Sequence, residues 1–233
     1  MKRSVLITVL LMAGKLTAQH FVAPADSVGK SIFDKKFIWG FTYTQSWSTI
    51  KGNNLAASYF GKASVGLLVS AEYYPLKFLG FTLGVGYQQR GTGIKNSTSY
   101  PLGTVDSTYR DRLRFNTFEF PIAIILRTPK DVIKGLRFSG SLGIVPLING
   151  SSRDVKISLE PNVANLDKVK DVSANYFKND VAIQFTAGSE IDMAASQVIK
   201  VQFYYSMGTT NVYTTGQGTG HNQNAGIRLS WMF

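Results

Sequence analysis

The 233-residue sequence contains no cysteine. That excludes disulfides, thiolate metal sites and cysteine nucleophiles together. Histidine is nearly absent as well, with only His20 and His221, so a Ser-His-acid triad or a histidine-built metal cluster has little to draw on. Acids are scarce: 14 Asp and Glu stand against 25 Lys and Arg, a formal charge of +11. After the N-terminus, no run approaches the roughly 18 apolar residues that a transmembrane helix needs. There is no Gly-rich phosphate loop, no His/acid metal spacing and no basic-aromatic nucleic-acid motif. The basic excess therefore points to anionic lipid headgroups or glycans rather than nucleic acid.

What is present begins with "MKRSVLITVLLMAGKLTAQ". Lys2 and Arg3 precede a short apolar run from Val5 to Ala13, and small residues follow near Ala18. This layout predicts a cleaved export signal over residues 1–18, followed by a periplasmic leader over residues 19–35. Cleavage would remove Lys2, Arg3 and Lys15, leaving a balance of +8. No cysteine follows the run, which argues against a lipoprotein anchor.

From residue 36 onward the dominant pattern has a period of two, the signature of β-strands with two unlike faces. In "FLGFTLGVGYQQRG", Leu79, Phe81, Leu83, Val85 and Tyr87 alternate with Gly80, Thr82, Gly84, Gly86 and Gln88. The same alternation predicts strands over residues 36–47, 62–74, 114–126, 136–148, 181–191, 198–208 and 224–233, eight in all with the first. Ten or eleven residues at about 3.3 Å each, tilted by about 40°, rise about 25 Å, the height of an apolar membrane band. The predicted connections alternate long and short, as in barrels with short periplasmic turns and long external loops. Aromatics fall into two groups, Trp39, Tyr73, Phe81, Trp231 and Phe233 against Tyr43, Trp47, Tyr87, Phe118 and Tyr205, as two interfacial girdles would. The predicted fold is all-β: an eight-stranded antiparallel up-and-down transmembrane β-barrel over residues 36–233, with the greasy face toward lipid.

The terminal "IRLSWMF" resembles the C-terminal strand of outer-membrane barrels. The "FEFPIAI" run at Phe118–Ile124 and the Ala18–Gln19 cleavage pattern resemble the PorT-like, outer membrane protein beta-barrel domain proteins of Bacteroidota. That resemblance implies an outer-membrane barrel of a Gram-negative envelope and brings no catalytic residues with it. PorT itself is associated with type IX secretion.

The narrow interior of such a barrel is nearly filled by side chains. The small-residue registers carry Glu72, Glu119, Glu190, Arg137, Lys200 and Arg228, and buried charges must pair. An internal salt-bridge network is expected, with Glu119 and Arg137 among its members because their strands are sequence neighbours. Pro121 cannot donate to a sheet ladder and predicts a local break. His221 reads as a solvated loop residue. No catalytic, cofactor-binding or metal-ligating set is expected, and no cofactor. The loops over residues 149–180 and 91–113 carry Arg153, Lys156, Lys168, Lys170, Lys178, Lys95, Arg110 and Arg112. These suit lipopolysaccharide phosphates and other envelope proteins as partners. The expected role is non-enzymatic: structural, binding, or accessory within a larger outer-membrane or secretion machine. A narrow solute channel is the alternative, and a lipid-modifying barrel enzyme is a weaker one.

Overall fold

The computed structural model describes residues 32–53, 58–95, 109–129, 132, 135–158, 168–194, 197–214 and 218–233; the expected export signal lies outside them. The chain runs η1 (Ile32–Asp34), β1 (Phe37–Asn53), β2 (Ser58–Phe60), β3 (Lys62–Tyr73), β4 (Leu79–Lys95), β5 (Tyr109–Glu119), β6 (Ile122–Arg127), β7 (Leu136–Ser158), β8 (Lys168–Asp171), η2 (Ser173–Asn175), β9 (Asn179–Ala194), β10 (Gln197–Gly208) and β11 (Thr219–Met232).

The sheet closes on itself. Phe41 of β1 faces Val69 of β3 on one side and Trp231 of β11 on the other. Going round, β1, β3, β4, β5 with β6, β7, β9, β10 and β11 form a ring of eight antiparallel staves. Closure leaves no open edge in the wall, the condition for strands to cross a bilayer.

Burial is inside out. Thr42, Ser46 and Ser64 are buried, while Trp47 is 58% and Phe203 72% exposed. A water-soluble sandwich could not tolerate that exchange, whereas a lipid-embedded ring requires it. At the end bearing the short connections, Trp39 packs on Phe233 with ring centroids 5.4 Å apart, and Trp231 stacks on Phe233 at 5.7 Å. Near the other end Tyr87 meets Phe118 edge-on at 6.1 Å. The short-turn end is the periplasmic one by the loop-length rule of such barrels.

Pro121 interrupts the fourth stave between β5 and β6. The neighbouring ladder closes over the gap: Gly84 donates its N–H to the Pro121 carbonyl and Phe120 donates to Pro146. At the outer end the strands run further than the alternation alone predicts. β1 continues to Asn53, β4 to Lys95 and β7 to Ser158, with β2 and β8 paired onto β4 and β7. Parts of the expected loops over residues 48–61, 91–113, 149–180 and 209–223 are therefore strand. Their side chains are too polar to reveal a two-faced pattern, and cross-strand pairing above the membrane orders them instead. Gly91 sits in this extension at φ 137°, a backbone conformation other residues rarely adopt.

Candidate functional site: the lumen and the outer rim

Three layers fill the interior. At the periplasmic mouth Phe33, Ile38, Tyr74, Ile125, Val198 and Met232 form an apolar cluster. Phe33 comes from η1, so the chain just before the barrel folds back into its opening. Two guanidiniums hold the ring: Arg137 lies 4.1 Å and Arg127 5.7 Å from its centroid. Arg127 also donates to the Phe33 carbonyl at 2.9 Å and the Lys77 carbonyl at 2.8 Å.

The next layer is ionic. Lys200 Nζ contacts Glu72 Oε2 at 2.6 Å and Glu190 Oε1 at 2.9 Å. Tyr74 donates its hydroxyl to Glu72 at 2.6 Å and offers its ring face to Arg127 at 3.7 Å. Arg127 closes on Glu190 Oε2 at 4.0 Å. Two carboxylates are thus shared among cations and a phenol. Glu72 is hydrogen-bonded by Lys200 and Tyr74, while Glu190 is held by charge contacts with no hydrogen bond to either oxygen.

Higher in the lumen, Glu119 Oε1 accepts from Arg90 Nη2 at 2.6 Å and Nε at 3.1 Å, and Arg228 Nη2 lies 3.9 Å from Oε2. In the orientation that satisfies both ends, the Gln88 amide donates to Glu119 at 2.7 Å and accepts from Tyr204 and Ser46. Arg228 also donates to Gln184 at 2.9 Å and covers the Tyr204 ring at 4.5 Å.

Glu72, Glu190, Arg137 and Lys200 therefore fall in or beside the periplasmic layers, and Glu119 and Arg228 in the higher one. Glu119 and Arg137, both expected in the network, sit in different layers of it. Their strands are neighbours, but Glu119 stands opposite Leu147, whereas Arg137 stands opposite Glu190 on β9. Ten positions of β7 separate Arg137 from Leu147, and Arg90 of β4 is the cation at Glu119's height. Sequence reasoning missed Arg90 and Arg127. Parity was the available signal: Arg90 shares the register of Gln88, and Arg127 that of Glu119.

The outer end carries a second apolar cap of Ile50, Leu113, Phe115, Phe177, Val212 and Tyr213, with Tyr59 and Tyr176 against it. Tyr213 donates its hydroxyl to that of Tyr59. Burial first, then Tyr59, pushes the Tyr213 hydroxyl above the ordinary phenol range, and burial does the same to Tyr176. His221 lies within β11, opposite Lys51, not in a loop, because β11 begins at Thr219. Its Nδ1 sits 3.1 Å from the Thr210 carbonyl. His20 lies outside the described residues.

On the outward face at this end, Arg112 and Arg114 of β5 stand opposite Gly93 and Gly91 of β4. Arg114 also stands opposite Arg153 of β7, which has Asp171 of β8 on its other side. Lys62 Nζ and Arg114 Nε are shielded from solvent and have no hydrogen-bond acceptor. Two cations directly opposed across strands destabilise a sheet unless something neutralises them.

The family described as "Outer membrane protein beta-barrel domain" matches residues 33–214. The chain belongs to that family. Its place is the outer membrane, where the lipid-facing ring of this family member is embedded. Solved structures similar to this barrel include Ail of Yersinia pestis, with the heparin analogue sucrose octasulfate, at 10% identity over 85% of this chain and 100% of that one, TM-score 0.41. Neisserial surface protein A is similar at 9% identity over 84% and 96%, TM-score 0.47. OprG of Pseudomonas aeruginosa is similar at 10% identity over 84% and 95%, TM-score 0.45. No curated protein matches the sequence.

Proposed function

We propose that this family member is a non-enzymatic, non-conducting outer-membrane barrel whose working surface is its outer rim. There it engages the phosphates of lipopolysaccharide as a structural or binding element of the envelope. The observation that carries this reading is the outward basic row of Arg112 and Arg114, opposed by glycines on β4 and by Arg153 on β7. Guanidiniums bind phosphate in a planar, two-pronged geometry. The row stands above the Tyr87–Phe118 aromatic pair, at the height of lipid headgroups. Residues 1–18 serve as the export signal and residues 19–35 as the leader, of which Phe33 plugs the mouth. The FEFP run supports a PorT-like assignment, and with it a supporting role beside other envelope proteins.

The test is binding of purified lipopolysaccharide to the full barrel in detergent. Wild type is expected to bind with an affinity that falls steeply with salt, because phosphate contacts release counterions and are screened. Arg112→Gln with Arg114→Gln is expected to weaken binding and flatten that salt dependence while leaving the barrel folded. Equal affinity and equal salt slope in the variant would overturn the reading.

A further inference from the structure

The outer third of the lumen holds a second polar site, separate from the salt-bridge layers. Its walls are β9, β10 and β11. Ser206 of β10 faces Gln184 on one side and Asn224 on the other, and the next inward residue, Gly208, faces Ala182. Two adjacent inward positions thus carry a methyl group and a hydrogen, and the Ala182 methyl packs toward Val145 and Leu147. Asp180, two residues before Ala182, leans into that space, its Oδ2 standing where a Cβ on Gly208 would be. Asn222 flanks the space from β11 and faces Ile50 of β1.

The three polar residues at this space are sealed and unsatisfied. Asp180 is 3% exposed, and Ser206 and Asn222 are fully buried. Asp180 Oδ1 accepts the Thr210 N–H at 2.9 Å, but Oδ2 has no partner. Neither Oδ1 nor Nδ2 of Asn222 has one, and the Ser206 hydroxyl has none. The apolar cap with Ile50, Phe177 and Val212 roofs the space. Arg90, an interior cation of the outer half, is committed elsewhere: it is bound by Glu119 and, in the satisfied orientation of Asn224, by that residue's amide oxygen. A desolvated carboxylate beside unfilled donors and acceptors is too costly to stand alone.

We propose that this chamber binds a small monovalent cation of the sodium class, held by the Asp180 carboxylate, the Asn222 amide oxygen and the Ser206 hydroxyl. The donors are all hard oxygens, the set such ions prefer over nitrogen or sulfur sites. One carboxylate balances one positive charge, which selects a monovalent ion over a divalent one. The ion ties β9, β10 and β11 together beneath the outer cap.

The experiment is thermal unfolding of the full barrel in detergent, with sodium chloride exchanged for choline chloride at constant ionic strength. The folded state is expected to gain stability along a one-site saturation curve in sodium. Asp180→Asn is expected to remove the dependence. Should that variant fail to fold, Asn222→Ala is expected to move the midpoint to higher sodium. Crystals soaked in a thallium salt are expected to show an anomalous peak between the three side chains. Identical unfolding in sodium and choline, a sodium effect unchanged in both variants, or a chamber holding only water would overturn the proposal.

Discussion

The Arg90 guanidinium lies 2.6 Å from the Glu119 carboxylate, and both side chains are closed off from solvent. Each is the other's main compensation for leaving water, with Arg228 a weaker third member at 3.9 Å. Removing one partner of such a pair leaves an uncompensated buried charge, which typically costs about 3–5 kcal/mol.

Glu119→Gln is therefore expected to destabilise the barrel by about that amount. The change is read as a lower denaturant midpoint in detergent or a lower temperature of the gel-mobility shift. Arg90→Met combined with Glu119→Leu is expected to recover most of the loss, since apolar residues of similar volume replace buried pairs at little cost. A single variant as stable as wild type would show that the pair contributes nothing.

Phe33 packs at the periplasmic mouth between Arg127 and Arg137. Truncating a buried Phe to Ala costs about 3–5 kcal/mol in a closed core, and at this mouth the lower end of that range applies. Phe33→Ala is expected to lower stability while leaving the barrel electrically silent in planar bilayers, because the Lys200, Glu72 and Glu190 layer still closes the path. Discrete conductance steps in the variant would assign the seal to Phe33 instead.

Asp171 sits outside the membrane, where it accepts from the Ser173 hydroxyl at 2.7 Å and the Ser173 N–H at 2.9 Å. These bonds, with Arg153 adding a smaller attraction, hold its carboxyl below the ordinary range. A depressed folded value means the stabilisation is present above the unfolded value of about 3.9 and lost as pH falls through the folded one. The protection factor of the Ser173 amide, the intrinsic exchange rate divided by the observed one at the same pH, is expected to be raised at neutral pH and to fall on acidification below about pH 4. Asp171→Asn is expected to weaken the pH response. An amide equally protected at all pH values in both proteins would remove the claim.

Much of this architecture was legible from alternation. Phe41, Tyr43 and Trp47 against Thr42, Thr44 and Ser46 fix which side of β1 meets lipid, because a strand's side chains have only two directions. The membrane-crossing cores of the staves followed from the same rule, and so did the gap at Pro121, from its missing N–H. The outer extensions of β4, β5 and β7 did not, since polar residues on both faces leave no periodic contrast.

The sequence by itself determined the alternating faces, the up-and-down crossing and the presence of inward charge, all set by neighbours along one strand. Only the tertiary structure decided which charges meet. Stagger between staves fixes height in the lumen, and it brings Glu119 to Arg90 rather than to Arg137. It also decided that Asp180 leans over Gly208 beneath a roof of Phe177 and Val212. Parity tells a residue which way to point, whereas the shear of the closed sheet tells it whom to face.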